Sequence, residues 1–272
     1  MTNKYVIYKG SGGLIHMLGG LSYCVDWCNK NNHYLIIDVK NHTAYNRYFR
    51  DYFYLKFKNY TEDYKIIPDN LHFKNIPVEN IEHIPIKYKR INNRTCYILG
   101  NNINIMKNLN DYDYKDTIKM YCGPGGHQHN LIIKYIRVNK NIYNMLKILY
   151  NSIHNCDIGI HFRNTDRKNN INEFISRIKK YNKKTIYLAT DDYNALRNFK
   201  DRLLDYNIIT LTTPYNAYGK NIHYNNDNKD ELIMNILIDM YILLKLDIFI
   251  HSSNSQISKL ILHMRKSNSI KI

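Results

Sequence analysis

Apolar and polar positions follow a regular order in the second half of the chain. Short apolar runs at Ile158–Phe162, Thr185–Ala189, Ile208–Leu211 and Asp247–Ile250 read as strands. Between and after them the apolar spacing turns helical: Asn172–Tyr181, with Phe174, Ile175 and Ile178 on one face, then Tyr193–Leu204, Asp230–Lys245 and Ile257–Met264. Strands alternating with helices of ten or more residues predict a parallel α/β sheet with right-handed crossovers. The chain opens in the same style. A strand at Lys4–Tyr8 and the turn Gly10-Ser-Gly-Gly13 lead into a helix over Leu14–Asn29, and a second strand lies at His33–Val39.

The stretch from Asn41 to Tyr121 is rich in Asn and Tyr and less periodic. Tyr45–Phe57 reads as a helix carrying aromatic residues, with strand-like pieces at Tyr64–Ile67, Ile84–Tyr88 and Cys96–Leu99. Cys122-Gly-Pro-Gly-Gly126 is a strong breaker. Asn141–Ser152 is helical again, which places a domain connection near residue 140 and divides the chain into 1–140 and 141–272.

Composition changes this picture little. The net charge of +16 would suit a phosphate-bearing partner. Lysines are scattered rather than blocked, however, and the excess of Asn, Ile, Lys and Tyr is what an AT-rich microbial or viral genome would produce. No signature of a nucleic-acid module is present, so no nucleic-acid partner is expected. The five Cys form no disulfide framework and no signal peptide is visible, so a cytoplasmic protein with reduced thiols is expected. The most apolar run, Leu232–Ile250, is broken by Asn235, Asp239, Lys245 and Asp247, which suits a core helix and strand rather than a membrane span.

Three strands of the second half end in polar residues: Arg163–Arg167, Thr190–Asp192 and His251–Gln256. In a parallel sheet those ends share one edge, where open α/β sheets bind ligands. Arg163 offers a planar fork suited to a diphosphate, or pairs with Asp166 at the surface. Ser252, Ser253, Asn254 and Ser255 precede a helix that they can cap, or whose free N–H groups can take a phosphate. Asp191 and Asp192 would accept from sugar hydroxyls, ligate a metal, or cap the next helix. His161 lies within its strand, as a core histidine or a ligand group. Gly12 and Gly13 bring backbone close to something at a helix start, but Gly10–Gly13 is neither a dinucleotide fingerprint nor a Walker loop. Cys122, His127 and His129 lack a second ligand pair, and no metal is expected.

Taken together, Ile158-Gly-Ile-His-Phe-Arg-Asn-Thr-Asp-Arg167, Ile186-Tyr-Leu-Ala-Thr-Asp-Asp192 and Ile236-Leu-Ile-Asp239 with Ser253-Asn-Ser-Gln256 resemble the ordered motifs of the α-1,6-fucosyltransferases, including the nodulation fucosyltransferases. Lys9–Gly13 through Cys24 is similar to the family's glycine-rich opening, whereas Asn41–Tyr121 has no counterpart. The resemblance implies a GT-B fold, two Rossmann-like domains with parallel sheets facing a cleft. It implies inverting, metal-independent transfer of fucose from GDP-fucose, or another GDP-sugar, to a glycan acceptor, with no cofactor. By position, His161 and Arg163 would contact GDP, with Arg163 on the β-phosphate. Asp239 would meet guanine, Ser255 and Gln256 the phosphates, and Thr190, Asp191 and Asp192 would line the pocket. The family's second arginine is Asn164 here, and its acidic residue after the motif is unmatched, so Asp166 is the nominee for base. The alternative reading is a degenerate transferase that binds nucleotide-sugar or glycan without turnover.

Overall fold

The computed structural model describes residues 4–267, apart from Ser11, Asn41, Thr43, Ala44, Asn46, 74–75, 82–85, 92–93, 100–102, 106–107, Tyr114, Pro124, Gly126, His154, Asp166, Arg167 and 215–227. It divides into two compact units, Met1–Asn139 and Lys140–Ile272.

The first unit is built on β1 (Tyr5–Lys9), α1 (Leu14–Asn31) and β2 (Tyr34–Asp38), close to the sequence expectation. Then come α2 (Phe49–Tyr52), β3 (Phe53–Leu55), β4 (Tyr60–Thr61), β5 (His72–Phe73), β6 (Ile76–Pro77), α3 (Val78–Ile81), β7 (Ile86–Ile91), β8 (Arg94–Leu99) and β9 (Ile103–Ile105). β10 (Ile118–Tyr121), α4 (His129–Tyr135) and β11 (Ile136–Val138) complete it. The parallel sheet runs β10-β1-β2-β4, and β7-β8-β9 form a separate antiparallel sheet.

Two expectations in this unit fail for physical reasons. Tyr45–Phe57 is not one helix: only the turn Phe49–Tyr52 is helical, because Phe53–Leu55 leaves to pair antiparallel with Ile136–Val138, a partner more than eighty residues away. Tyr64–Ile66 is a 3-10 turn instead of a strand, because the Asp63 carboxylate accepts from the Lys65 N–H and caps it.

α1 is pressed against the segment after β10. A Cβ on Gly19 would stand 1.8 Å from the Gly125 carbonyl oxygen, so the close approach requires glycine on both sides. At the carboxyl ends of β1 and β2, buried Lys9 pairs with Asp38, whose carboxylate also accepts from Tyr64 Oη at 2.6 Å.

The second unit is α5 (Lys140–Asn151), β12 (Ile158–Phe162), α6 (Ile171–Ile178), β13 (Thr185–Thr190), α7 (Tyr193–Arg202), β14 (Asn207–Ile209), α8 (Lys229–Lys245), β15 (Ile248–His251) and α9 (Gln256–Lys266). All pairs in its sheet are parallel, in the order β14-β13-β12-β15. Ile158, Ile160 and Phe162 face α6 and α7 through Phe174, Ile178 and Phe199. The other face, with Gly159 and His161, packs on α8 and α9: a Cβ on Gly159 would meet Leu243 at 2.7 Å. Two buried faces explain why β12 reads as a nearly unbroken apolar run. No helix among the described residues is long and apolar enough to cross a membrane.

Candidate functional site

From β12 the chain winds to β13 and β14 on one side, then returns to β15 on the other. The winding direction therefore reverses between β12 and β15, and their carboxyl ends flank the crevice in which such sheets take ligands. Arg163 leaves β12 there, and Ser252–Ser255 leaves β15.

The two lips are joined. The Ser252 hydroxyl accepts from the Arg163 backbone N–H at 3.0 Å and donates to the His161 carbonyl at 3.2 Å. Arg163's own carbonyl accepts from the Asn169 side-chain amide at 2.5 Å. The backbone carrying the guanidinium is thus held from both sides.

Asp191 and Asp192 grip the same loop from the end of β13. Asp191 accepts from the Asn164 N–H and the Thr165 hydroxyl, both at 2.7 Å, and its carboxylate lies 3.9 Å from Arg163 Nε. Asp192 caps α7 through the Asn194 N–H and accepts from the Asn164 side-chain amide at 2.6 Å. Asn164 therefore serves as a tie within the loop. The capping alternative for Asp192 is the arrangement found, and both carboxylates act on the arginine loop.

Across the crevice α9 begins at Ser255, whose side chain makes no capping bond. The Ser255 hydroxyl is buried, and among the described residues it has no hydrogen-bond partner. The first-turn N–H groups of a helix also lack intrahelical partners and carry the positive end of its dipole. A buried unsatisfied hydroxyl beside them suits an anionic oxygen that can accept from both. Ser253 is exposed and Gln256 half-buried at the same helix start.

His161 points into the layer formed by α8 and α9. Its Nδ1 is hydrogen-bonded to the Ser258 hydroxyl at 2.6 Å, and burial, with Arg163 nearby, pushes its pKa down to about 3. It is a neutral imidazole. On the same face, the Asp239 carboxylate of α8 accepts from Tyr187 Oη at 2.6 Å and Thr212 Oγ1 at 3.0 Å. Burial raises the Asp239 pKa to about 7, and burial beside this carboxylate pushes the Tyr187 phenol up as well.

Arg163, Asp191, Asp192, Ser253, Ser255 and Gln256 thus gather at the carboxyl edge of one sheet, with His161 and Asp239 in the layer between that sheet and the helices α8 and α9. Gly12 and Gly13 belong to the first unit, where Gly12 takes a positive φ of 79° and Gly13 is the N-cap of α1. Asp166 lies outside the described residues. Ser258, Asn169, Tyr187 and Thr212 were not singled out from the sequence. Only their spacing against a known strand face could have suggested them. Among the described residues no group of three His, Cys, Asp or Glu is placed to hold a metal.

No protein-family model and no curated protein matches the chain. Solved structures do. NodZ α-1,6-fucosyltransferase soaked with GDP-fucose is similar over 95% of this chain and 91% of its own, with a TM-score of 0.62 and 16% identity. POFUT1 in its apo form matches 98% of this chain and 96% of its own, at TM-score 0.54 and 10% identity. A FUT1 variant from Arabidopsis thaliana in complex with GDP matches 97% of this chain and 69% of its own, at TM-score 0.56 and 11% identity. The chain has the GT-B fold of these fucosyltransferases. At such identities the likeness fixes the backbone arrangement, and the chemistry of this GT-B protein rests on its own side chains.

Proposed function

We propose that the second unit binds a GDP-sugar and that the chain is an inverting, metal-independent glycosyltransferase moving fucose from GDP-fucose to a glycan. The observation that carries this is the pairing, across one crevice, of a pinned arginine with a helix start that holds a buried, unsatisfied serine hydroxyl. The fold it shares with a GDP-fucose-soaked transferase supports the choice of donor.

The chemistry follows from charge. As the bond from the sugar's anomeric carbon to the diphosphate oxygen breaks, its electron pair goes to the β-phosphate. Arg163, the α9 dipole and Ser255 Oγ meet the charge that grows there, and preorganised donors of this kind stabilise the transition state more than the ground state. The acceptor hydroxyl attacks from the opposite face and loses its proton to a base, for which Asp166 remains the nominee. Asp191 and Asp192 hold the arginine loop, Asp239 is assigned to the guanine, and Gln256 and Ser253 to the phosphate side of the pocket. Neutral His161 supports the strand end beneath the diphosphate. Gly12 and Gly13 of the first unit stay candidate donor-binding residues.

Thermal-shift titrations with GDP, UDP and CMP test the binding half, since a ligand of the native state raises its melting temperature. A shift with GDP alone is expected; equal shifts with all three would remove the guanine assignment. Release of GDP from GDP-fucose in the presence of glycan acceptors tests the transfer half. Arg163→Ala should lower that release by about two orders of magnitude. Saturable GDP binding without turnover would leave a donor-binding module in place of an enzyme.

A further inference from the structure

The opposite edge of the second unit has a character of its own. In a parallel sheet every crossover helix runs back against the strands, so α6, α7, α8 and α9 all end at the edge where the strands begin. Each ends in cations: Arg177 in α6, Lys200 and Arg202 in α7, Lys245 in α8, and Arg265 and Lys266 in α9. The connection from α6 to β13 adds Lys179, Lys180, Lys183 and Lys184, all exposed. Ten lysines and arginines on these ends and connections face four aspartates, Asp157, Asp201, Asp205 and Asp247.

Side-chain contacts join the ends into one surface. Lys183 Nζ pairs with Asp157 at 3.0 Å, Lys184 lies over the Tyr206 ring, and an Arg265 guanidinium N–H donates to the Asp247 carbonyl at 3.3 Å. A cavity of about 470 Å³ lined by Tyr150, Asn151, Asp157, Lys245 and Asp247 brings the end of α5 to the same edge.

Helix dipoles favour cations at helix ends and explain one or two per helix. They do not explain a loop with four lysines, nor the apolar groups set among them. Leu204, in the α7–β14 connection, is 84% exposed; Ile148, in the last turn of α5, is 69% exposed; Tyr181, between the lysine pairs, is 41% exposed. A nucleic acid would use the cations and gain nothing from an exposed leucine. The interface of an anionic bilayer uses both: lipid phosphates and carboxylates attract the lysines, and side chains such as Leu204 and Tyr181 enter the headgroup region.

We propose that this amino edge is a docking face for anionic lipid membrane, holding the protein peripherally with the crevice at the opposite edge turned away from the bilayer. The inference is independent of which nucleotide-sugar, if any, the crevice takes.

Co-sedimentation with vesicles of phosphatidylcholine, with and without phosphatidylserine, tests it on the full chain. Binding should require phosphatidylserine and disappear in high salt. Lys179→Glu with Lys180→Glu should weaken it by roughly tenfold or more. Leu204→Ser should weaken it while leaving the salt dependence unchanged. These positions are exposed, so melting temperature and GDP binding serve as controls and should stay at native values. Absence of binding to phosphatidylserine vesicles, or native binding by the lysine variants, would overturn the proposal. So would binding of a single-stranded oligonucleotide that depends on Lys179 and Lys180 and is indifferent to Leu204→Ser, because the face would then be a nucleic-acid surface.

Discussion

The Ser258 hydroxyl lies 2.6 Å from Nδ1 of His161, joining α9 to the strand that delivers Arg163. The imidazole is buried and its pKa is pushed down to about 3, against an ordinary 6.5. A histidine depressed in the folded state contributes stability that is fully present above its unfolded pKa. That contribution is lost as pH falls through the window from 6.5 toward 3. Denaturant titrations across this range should show a progressive loss that His161→Gln reduces. Ser258→Ala, which strands a buried ring nitrogen, should cost about 1–3 kcal/mol at neutral pH; an unchanged midpoint would mean the bond stabilises nothing.

Asp191 holds three partners on the arginine loop, so Asp191→Ala should release Arg163 without touching the donor directly. Misplacing a charge-stabilising group by about 1 Å can cost on the order of a hundredfold in rate. Turnover should fall by one to two orders of magnitude, while the melting temperature stays within a few degrees of native. Parallel kinetics and thermal melts would separate positioning from unfolding.

Asp239 carries the opposite sign of linkage. Its folded pKa is raised from 3.8 to about 7. Its contribution is therefore fully present below pH 3.8 and lost as pH rises toward 7. The ionised form is the one suited to guanine, so GDP affinity measured calorimetrically should rise through pH 7, and Asp239→Asn should flatten that rise. A pH-independent affinity in the native protein would detach Asp239 from the base.

Gly19 offers a test of the first unit alone. Any Cβ there would overlap the Gly125 carbonyl. The obstacle is backbone, so side-chain rotation cannot relieve it. Gly19→Ala should destabilise the unit by several kcal/mol, in the range of severe overpacking. Proteolysis should then cleave the first unit well before the second.

Lys9 and Asp38 form a buried pair. Lys9→Met leaves the carboxylate uncompensated and should cost about 3–5 kcal/mol, most of it recovered when Asp38→Asn is added. Additive losses in the double mutant would show that the two residues are not energetically coupled.

Much of the second unit was legible in the residues because its periodicities are long and unambiguous. Ile158–Phe162 can only be a strand buried on both faces, and α6 and α7 carry clean apolar stripes. The first unit resisted because its decisive contacts are remote. Nothing local in Tyr45–Phe57 says that Phe53–Leu55 will pair with Ile136–Val138. The polar strand ends pointed to one edge of the sheet, but not to the partners each residue makes there. Asn164 looked like a missing cation, yet its amide spans to Asp192. Ser258 and Thr212 were invisible because their partners are set by which face of the sheet a helix covers.

The common orientation of the helices gives the second unit two poles, and in the readings proposed above both meet phosphate, by different means. At the crevice the donors are backbone N–H groups, a buried hydroxyl and one restrained arginine, and their hold should change little with ionic strength. At the far pole the donors are exposed lysines, whose attraction salt can erase. One molecule should therefore show two ionic-strength signatures, so that raising salt strips it from a surface while leaving its nucleotide in place.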